Sequence, residues 1–430
     1  MKKGKRFTVG LISLGVFGFL ALSLGTIIKD FVGGGNGLHA DNWDYPKIAK
    51  ALQVNGAAGD DIEWDFDSDT GVLNITGSGD MASYSKGGAP WYEYRGYITT
   101  IVVADEIDSI SENAFYQCNN LQSIKLPFVG GNRSASGYSS VFGYIFGYTS
   151  VSASSSTYRY VYDGTTNSYK GGSYYTTTGS YPSEYVDYRL GTSSTAMYNP
   201  SGTTFQYSYY NASNYLTSYY YYIPTSLLSV EITDSSKIST ASFKNCSYLK
   251  EIVLNDSISS IGEQAFSKCS SLSEIELPDI EKVEKNTFYQ CTSLRNVYFG
   301  DSLSWIDLQA FYGCTSLNNP IFPSTLEKIS NDAFNGCTSF TKIDLPTNLD
   351  VLGGSAFKNC TNVKTINFNP NITTINEEVF YGMNKVKDLV LPSSLQIIKY
   401  GAFQGFNNLQ SIQLPFVGKS RTATGFEGTF

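Results

Sequence analysis

Seven cysteines, one histidine and a few closely spaced carboxylates are the side chains through which this 430-residue chain could do covalent or acid–base chemistry. The histidine, His39, lies just after an apolar leader, so the rest of the protein holds none. That excludes Ser-His-Asp and Cys-His nucleophilic sites and any zinc site with a histidine ligand. The cysteines are Cys118, Cys246, Cys269, Cys291, Cys314, Cys337 and Cys360, each three residues after a phenylalanine, and the same column continues as Met383 and Phe406. A position that accepts Met and Phe wants apolar volume, and parallel stacked side chains give poor disulfide geometry. Buried free thiols are expected, not ligands or nucleophiles. Asp65, Asp67 and Asp69 open like a calcium loop, yet Gly71 falls one place late and Thr76 stands where a bidentate Glu is needed. Their alternation with Trp64 and Phe66 reads instead as the solvent face of a strand entering a turn. A glycosidase pair needs two carboxyls opposed across a pocket, one of them with a raised pKa. Glu63 with Asp65, and Glu274 with Glu276, each lie along one strand. No catalytic residue, metal or cofactor is expected.

The elements that carry these residues repeat. Phenylalanines stand at Phe115, Phe243, Phe266, Phe288, Phe311, Phe334, Phe357, Phe380 and Phe403, with steps of 22 or 23 from Phe243 onward. Six residues after each comes Leu, Val or Phe, and further apolar columns lie nine and eleven after it (Ile275, Leu277) and five and eight before it (Ile261, Ile258). An I-x-L pair followed by Pro is a short strand with alternate residues inward. The AFxxCxxL spacing suits one helical turn, and the Gly, Asn and Asp residues between mark bends. These apolar side chains have nowhere to go in an isolated unit, but stacking would give each about 1.5–3 kcal/mol on burial. The period therefore predicts a mostly β solenoid with a continuous core. Pro320 replaces the first strand Ile of its unit and should weaken pairing there.

The unit resembles the leucine-rich repeats of the BspA-like surface proteins. The residues that carry the likeness are AFYQCNNLQSIKLP at 114–127, AFSKCSSLSEIELP at 265–278, AFNGCTSFTKIDLP at 333–346 and AFQGFNNLQSIQLP at 402–415. The resemblance implies a leucine-rich repeat solenoid acting as an exported adhesin or recognition scaffold, and its motif brings no catalytic residue with it.

Around the repeats the chain divides as follows. Residues 1–30 carry Lys2, Lys3, Lys5 and Arg6, then an uncharged stretch from Phe7 to Ile28, which reads as a cleaved signal peptide or an uncleaved N-terminal anchor. Either sends the remainder outward, so the expected location is the cell surface or the medium. A linker is expected over 31–58 and a β capping module over 59–104, where PW at 90–91 also belongs to the family likeness. The first repeat spans 105–127 and eight more span 223–415. Between them, 128–222 holds 21 of the 33 tyrosines, mixed with Ser, Thr and Gly, and is expected to be a folded β-rich insertion. LPFVGKSRTATGFEGTF at 414–430 matches LPFVGGNRSASGYSSVF at 126–142, so 416–430 reads as the truncated start of a second insertion.

The net charge of -8 without a basic stripe argues against nucleic acid. The outward residues of stacked strands form one extended face. Its expected ligand-facing residues are Arg295, Tyr298, Lys342, Asp344, Lys364, Asn367, Lys387 and Asp388. The tyrosines of the insertion are a second candidate surface, since Tyr is enriched at recognition sites. The expected function is non-catalytic recognition of an extracellular protein or glycan, with membrane contact only through the N-terminal segment if it is uncleaved. A structural stalk is the rival reading, and a carbohydrate-active enzyme the weaker one.

Overall fold

The computed structural model describes residues 52–153, 159–163, 168–172, 202–210 and 216–422, with side chains over 52–148 and 221–422. The chain separates into two compact units, Met1–Pro46 and Lys47–Phe430, and every described residue belongs to the second. The leader therefore lies outside the described residues. No described helix is long and apolar enough to cross a membrane.

The architecture is a β-solenoid of about 11 turns. Its first end is closed by an antiparallel meander of Gln53–Ala57, Ile62–Asp67 and Val72–Gly77. In Ile62–Asp67 the apolar side chains Ile62, Trp64 and Phe66 are buried while Glu63 and Asp65 face solvent. Gln53–Ala57 lies inside the stretch 31–58 expected to be a linker, so that boundary is too late. The alternation is blurred there by Asn55 and Gly56, whereas the pairing with Ile62–Asp67 supplies the strand. Val72–Gly77 then pairs in parallel with Thr100–Val103, and that strand with Ser123–Leu126. Thr100–Val103, expected in the cap, is thus the first rung of the stack.

The insertion begins later than its composition suggests. Ser123–Leu126 pairs directly with Ser229–Ile232, which pairs with Glu251–Val253. The rung between Phe115 and Phe243 is one rung split by the excursion. Its first part is 128–147, where Phe142 and Phe146 are fully buried. Phe146 packs 6.3 Å from Phe115, and Phe142 lies 5.3 Å from Phe146 and 5.0 Å from Phe243. Its second part begins at the buried Tyr221 and Ile223 and runs through Leu227 and Val230. The excursion leaves through Tyr148–Ala153 and returns through Leu216–Pro224, which pair antiparallel and directly oppose Tyr148 to Tyr221. Gly202–Tyr210 adds a third antiparallel strand, and Arg159–Asp163 pairs with Ser168–Gly172. The boundaries 128 and 222 therefore cut into the core, because aromatic residues replace the AFxxC signature at this rung.

The core is a column of rings. Trp91 stacks 6.0 Å from Phe115 and donates its indole N–H to the Ala114 carbonyl at 2.7 Å, sealing the first end. From Phe243 to Phe403 successive phenylalanines stack at 5.1–6.1 Å. The AFxxC segment is a run of tight turns, not a continuous helix. Two residues before and two after each Phe, the backbone takes positive φ, as at Asp332 (55°) and Gly336 (80°) around Phe334. This alternation of hand points amide N–H groups toward one neighbouring rung and carbonyls toward the other. Asp332, Phe334 and Gly336 accordingly donate to Gly354, Ala356 and Lys358 at 3.0, 2.8 and 2.8 Å. The wall opposite the strands thus has its own hydrogen-bonded ladder.

Candidate functional site

The strand triplets alternate outward, inward, outward, as in Glu274–Glu276, Lys342–Asp344, Thr365–Asn367 and Asp388–Val390. The inward Ile or Leu is buried, and the flanking residues make one continuous outer face. All eight expected ligand-facing residues, Arg295, Tyr298, Lys342, Asp344, Lys364, Asn367, Lys387 and Asp388, are exposed on it. They fall into two kinds. Lys342 and Asp344 pair at 2.6 Å, and Asn367 donates to the other carboxylate oxygen at 2.6 Å. The Lys342 ammonium holds the Asp344 carboxyl below the usual range, with the Asn367 amide adding to the effect. Asp388 accepts from the Ser411 hydroxyl at 2.7 Å. Arg295, Lys364 and Lys387 form no ion pair or side-chain hydrogen bond among the described residues. Lys364 and Lys387 occupy the same position of neighbouring rungs, so they present two uncompensated positive charges side by side.

One outward column also carries apolar side chains that the first choice of site residues passed over. Val253, Tyr298, Ile321 and Val390 are 46%, 54%, 89% and 59% exposed. Their signal was present in the varied column at the second outward position of each triplet. Next to Ile321 the strand ladder breaks. Glu274–Glu276 pairs with Asn296–Tyr298, and Lys342–Asp344 pairs with Thr365–Asn367, but no strand forms at 319–321. Pro320 stands where the other triplets bury Ile or Val. The Asn319 side-chain carbonyl instead accepts from the backbone N–H of Thr341 and Lys342, at 2.8 and 3.2 Å. On regular rungs a backbone carbonyl does this, as Thr341 does for Lys364 at 2.8 Å. The missing side chain leaves a cavity of about 200 Å³ opening on the strand face.

The chemistry candidates sit elsewhere. All seven cysteines are free and buried. Burial pushes the Cys118 and Cys291 thiols up to about 12. Cys269, Cys291 and Cys314 donate S–H to the carbonyls of Phe243, Phe266 and Phe288 in the preceding rung, each at 3.1 Å. This donor role was not legible from the Met383 and Phe406 that follow in the column. Asp65 accepts from the Asn74 amide at 2.8 Å and Asp67 from the Asp69 backbone N–H at 2.8 Å, as a strand and its turn would. Glu274 and Glu276 point outward from one strand and are not opposed across a pocket.

A family model described as "BspA type Leucine rich repeat region" matches residues 89–159, 214–339 and 304–428 in six copies. Among solved structures the chain is similar to a leucine-rich repeat protein of T. pallidum, at 22% identity over 44% of this chain and 80% of that one, with a TM-score of 0.33. It is similar to a leucine-rich repeat protein of Bacteroides ovatus, at 18% identity over 83% and 94% of the two chains, TM-score 0.33. A leucine rich cell surface protein of Faecalibacterium prausnitzii is 16% identical over 84% of this chain and 88% of its own, TM-score 0.30. No curated protein matches. With the repeat signature covering most of the described residues and its columns forming the core of the solenoid, the chain belongs to the BspA-type leucine-rich repeat family.

Proposed function

We propose that this chain is an exported, surface-displayed recognition protein that binds an extracellular protein or glycan, in the manner of an adhesin, and performs no catalysis. The observation that carries the reading is the strand face. Its inward positions are uniform from rung to rung, whereas its outward positions vary from charged to aromatic to aliphatic. Stacking needs the inward residues and places no demand on the outward ones. A purely structural stalk gains nothing from the unpaired Lys364 and Lys387 or from an exposed Ile321. The antiparallel excursion 148–224 supports a second surface, since it projects from a core rung without contributing most of its length to the core.

The test is a binding screen of the full chain against matrix proteins, mucins and glycans, with Lys364→Glu/Lys387→Glu beside it. A ligand that the wild type holds and the double variant releases supports the reading. Release of reducing ends from polysaccharides by the purified protein would contradict its non-catalytic part. Failure to bind anything in the screen would favour the stalk.

A further inference from the structure

We infer that the cavity at Pro320 is a socket for one benzyl- or isobutyl-sized side chain of a protein partner, presented from an extended segment lying along the strand face. The inference rests on the recognition reading above and narrows it to a proteinaceous ligand with an apolar anchor.

Four observations carry it. The first is volume: the cavity holds about 200 Å³, and an apolar cavity of about 150 Å³ is enough to take benzene. The second is lining: Phe340, Ile343 and Phe357 form the wall and Ile321 and Phe322 the lip. Sugar hydroxyls placed there would lose water without gaining partners. The third is charge. The two ionic groups at the rim, Lys342 and Asp344, neutralise each other at 2.6 Å, so the mouth offers no net charge to an ionic ligand. The fourth is the interrupted ladder. In a parallel sheet alternate residues bond to opposite neighbours. Leu345 donates to the Asn367 carbonyl at 3.0 Å, so the Asp344 N–H points the other way, toward the break, where no strand is present to accept it. An extended peptide whose side chain enters the socket has a main-chain carbonyl available for that N–H. An anchor side chain in a pocket, ringed by exposed apolar residues such as Ile321 and Tyr298, is the arrangement from which interface hot spots are built.

The test uses the full chain and small probes. N-acetyl-phenylalaninamide, N-acetyl-leucinamide and N-acetyl-glycinamide are compared by saturation-transfer NMR. Transfer is expected to the phenyl ring and the leucine methyls and not to the glycine derivative. Pro320→Ile restores the missing side chain and should weaken both probes at least tenfold. Should that variant not fold, Ile321→Asp serves instead, because Ile321 is 89% exposed and its substitution leaves the core intact. It should weaken the probes several-fold. Unchanged transfer in a folded Pro320→Ile, or no transfer in the wild type, overturns the socket. A macromolecular ligand of the strand face that binds Pro320→Ile as tightly as wild type would also overturn it, while leaving the recognition reading in place. Probe binding lost in Pro320→Ile, with no protein ligand ever found, would sustain the socket and count against the reading.

Discussion

Replacing Phe311 by Ala should cost far more stability than the same change at Phe403. Phe311 is fully buried, lying 5.1 Å from Phe288 at an interplanar angle of 8° and 5.2 Å from Phe334 at 1°. Phe299 meets it edge-on at 6.1 Å. A Phe→Ala change in a packed core costs about 3–5 kcal/mol, depending on how far the surroundings collapse into the hole. Collapse is restricted here, because the backbone on both sides is fixed by inter-rung hydrogen bonds. Phe288 donates to Ala310 and Phe311 donates to Ala333, each at 2.8 Å. The upper part of the range, about 4–5 kcal/mol, is therefore expected. Phe403 stacks on one ring of the column, Phe380 at 5.8 Å, and is only partly buried. Its truncation should cost about 1–2 kcal/mol, since part of its surface already faces water. Urea unfolding followed by far-UV circular dichroism gives both numbers from the shift in midpoint. Equal losses at the two positions, or less than about 1.5 kcal/mol at Phe311, would show that the ring column is not the source of rung coupling.

Two further outcomes follow from the turn wall and the core. Thiol reagents at pH 8 should label none of the seven cysteines in the folded protein and all seven in denaturant, because burial both hides them and raises their pKa, to about 12 for Cys118 and Cys291; rapid native labelling at either site would contradict the packing. Asp332→Asn should stabilise the protein at pH 7 by up to about 1 kcal/mol, because Asn tolerates positive φ better than Asp's burdened carboxylate does. Asp332 has φ 55°, and burial raises its carboxyl pKa. A carboxyl raised in the folded state favours folding at low pH and loses that contribution as pH rises through the folded pKa. The advantage of Asn should therefore shrink as pH falls toward the carboxylate range, and a gain that is flat with pH, measured by thermal melts, would exclude the electrostatic part.

Much of the fold could be read from spacing because stacking imposes the same demand on every rung. Phe266, Cys269, Leu272 and Ile275 occur where each rung must contribute to one column, so their period is the architecture. The split rung escaped because its demand is met differently. Phe142, Phe146 and Tyr221 fill the space that a single Phe fills elsewhere, and they lie on both sides of the excursion. The alternating backbone hand escaped as well. Gln264, Lys268 and Glu378 all take positive φ, though none is a residue type that announces it. At these sites the inter-rung hydrogen bonds override local preference. The strand face was legible as a surface, since alternation fixes which residues point outward. Its cavity was not: Pro320 indicated a weakened strand, but a hole depends on whether neighbours close in, and Phe340, Ile343 and Phe357 do not.

The most direct measurement of the central claim compares three forms of the chain against one ligand from the screen. These are the wild type, Lys364→Glu/Lys387→Glu, and a form in which Tyr148 is joined to Tyr221 through a two-residue turn. Because those two tyrosines oppose each other in antiparallel strands, such a turn removes 149–220 without touching the core rung. The account predicts that the shortened form binds like wild type while the double variant loses at least tenfold in affinity. Full binding by the double variant together with loss in the shortened form would contradict it and place recognition on the tyrosine-rich excursion.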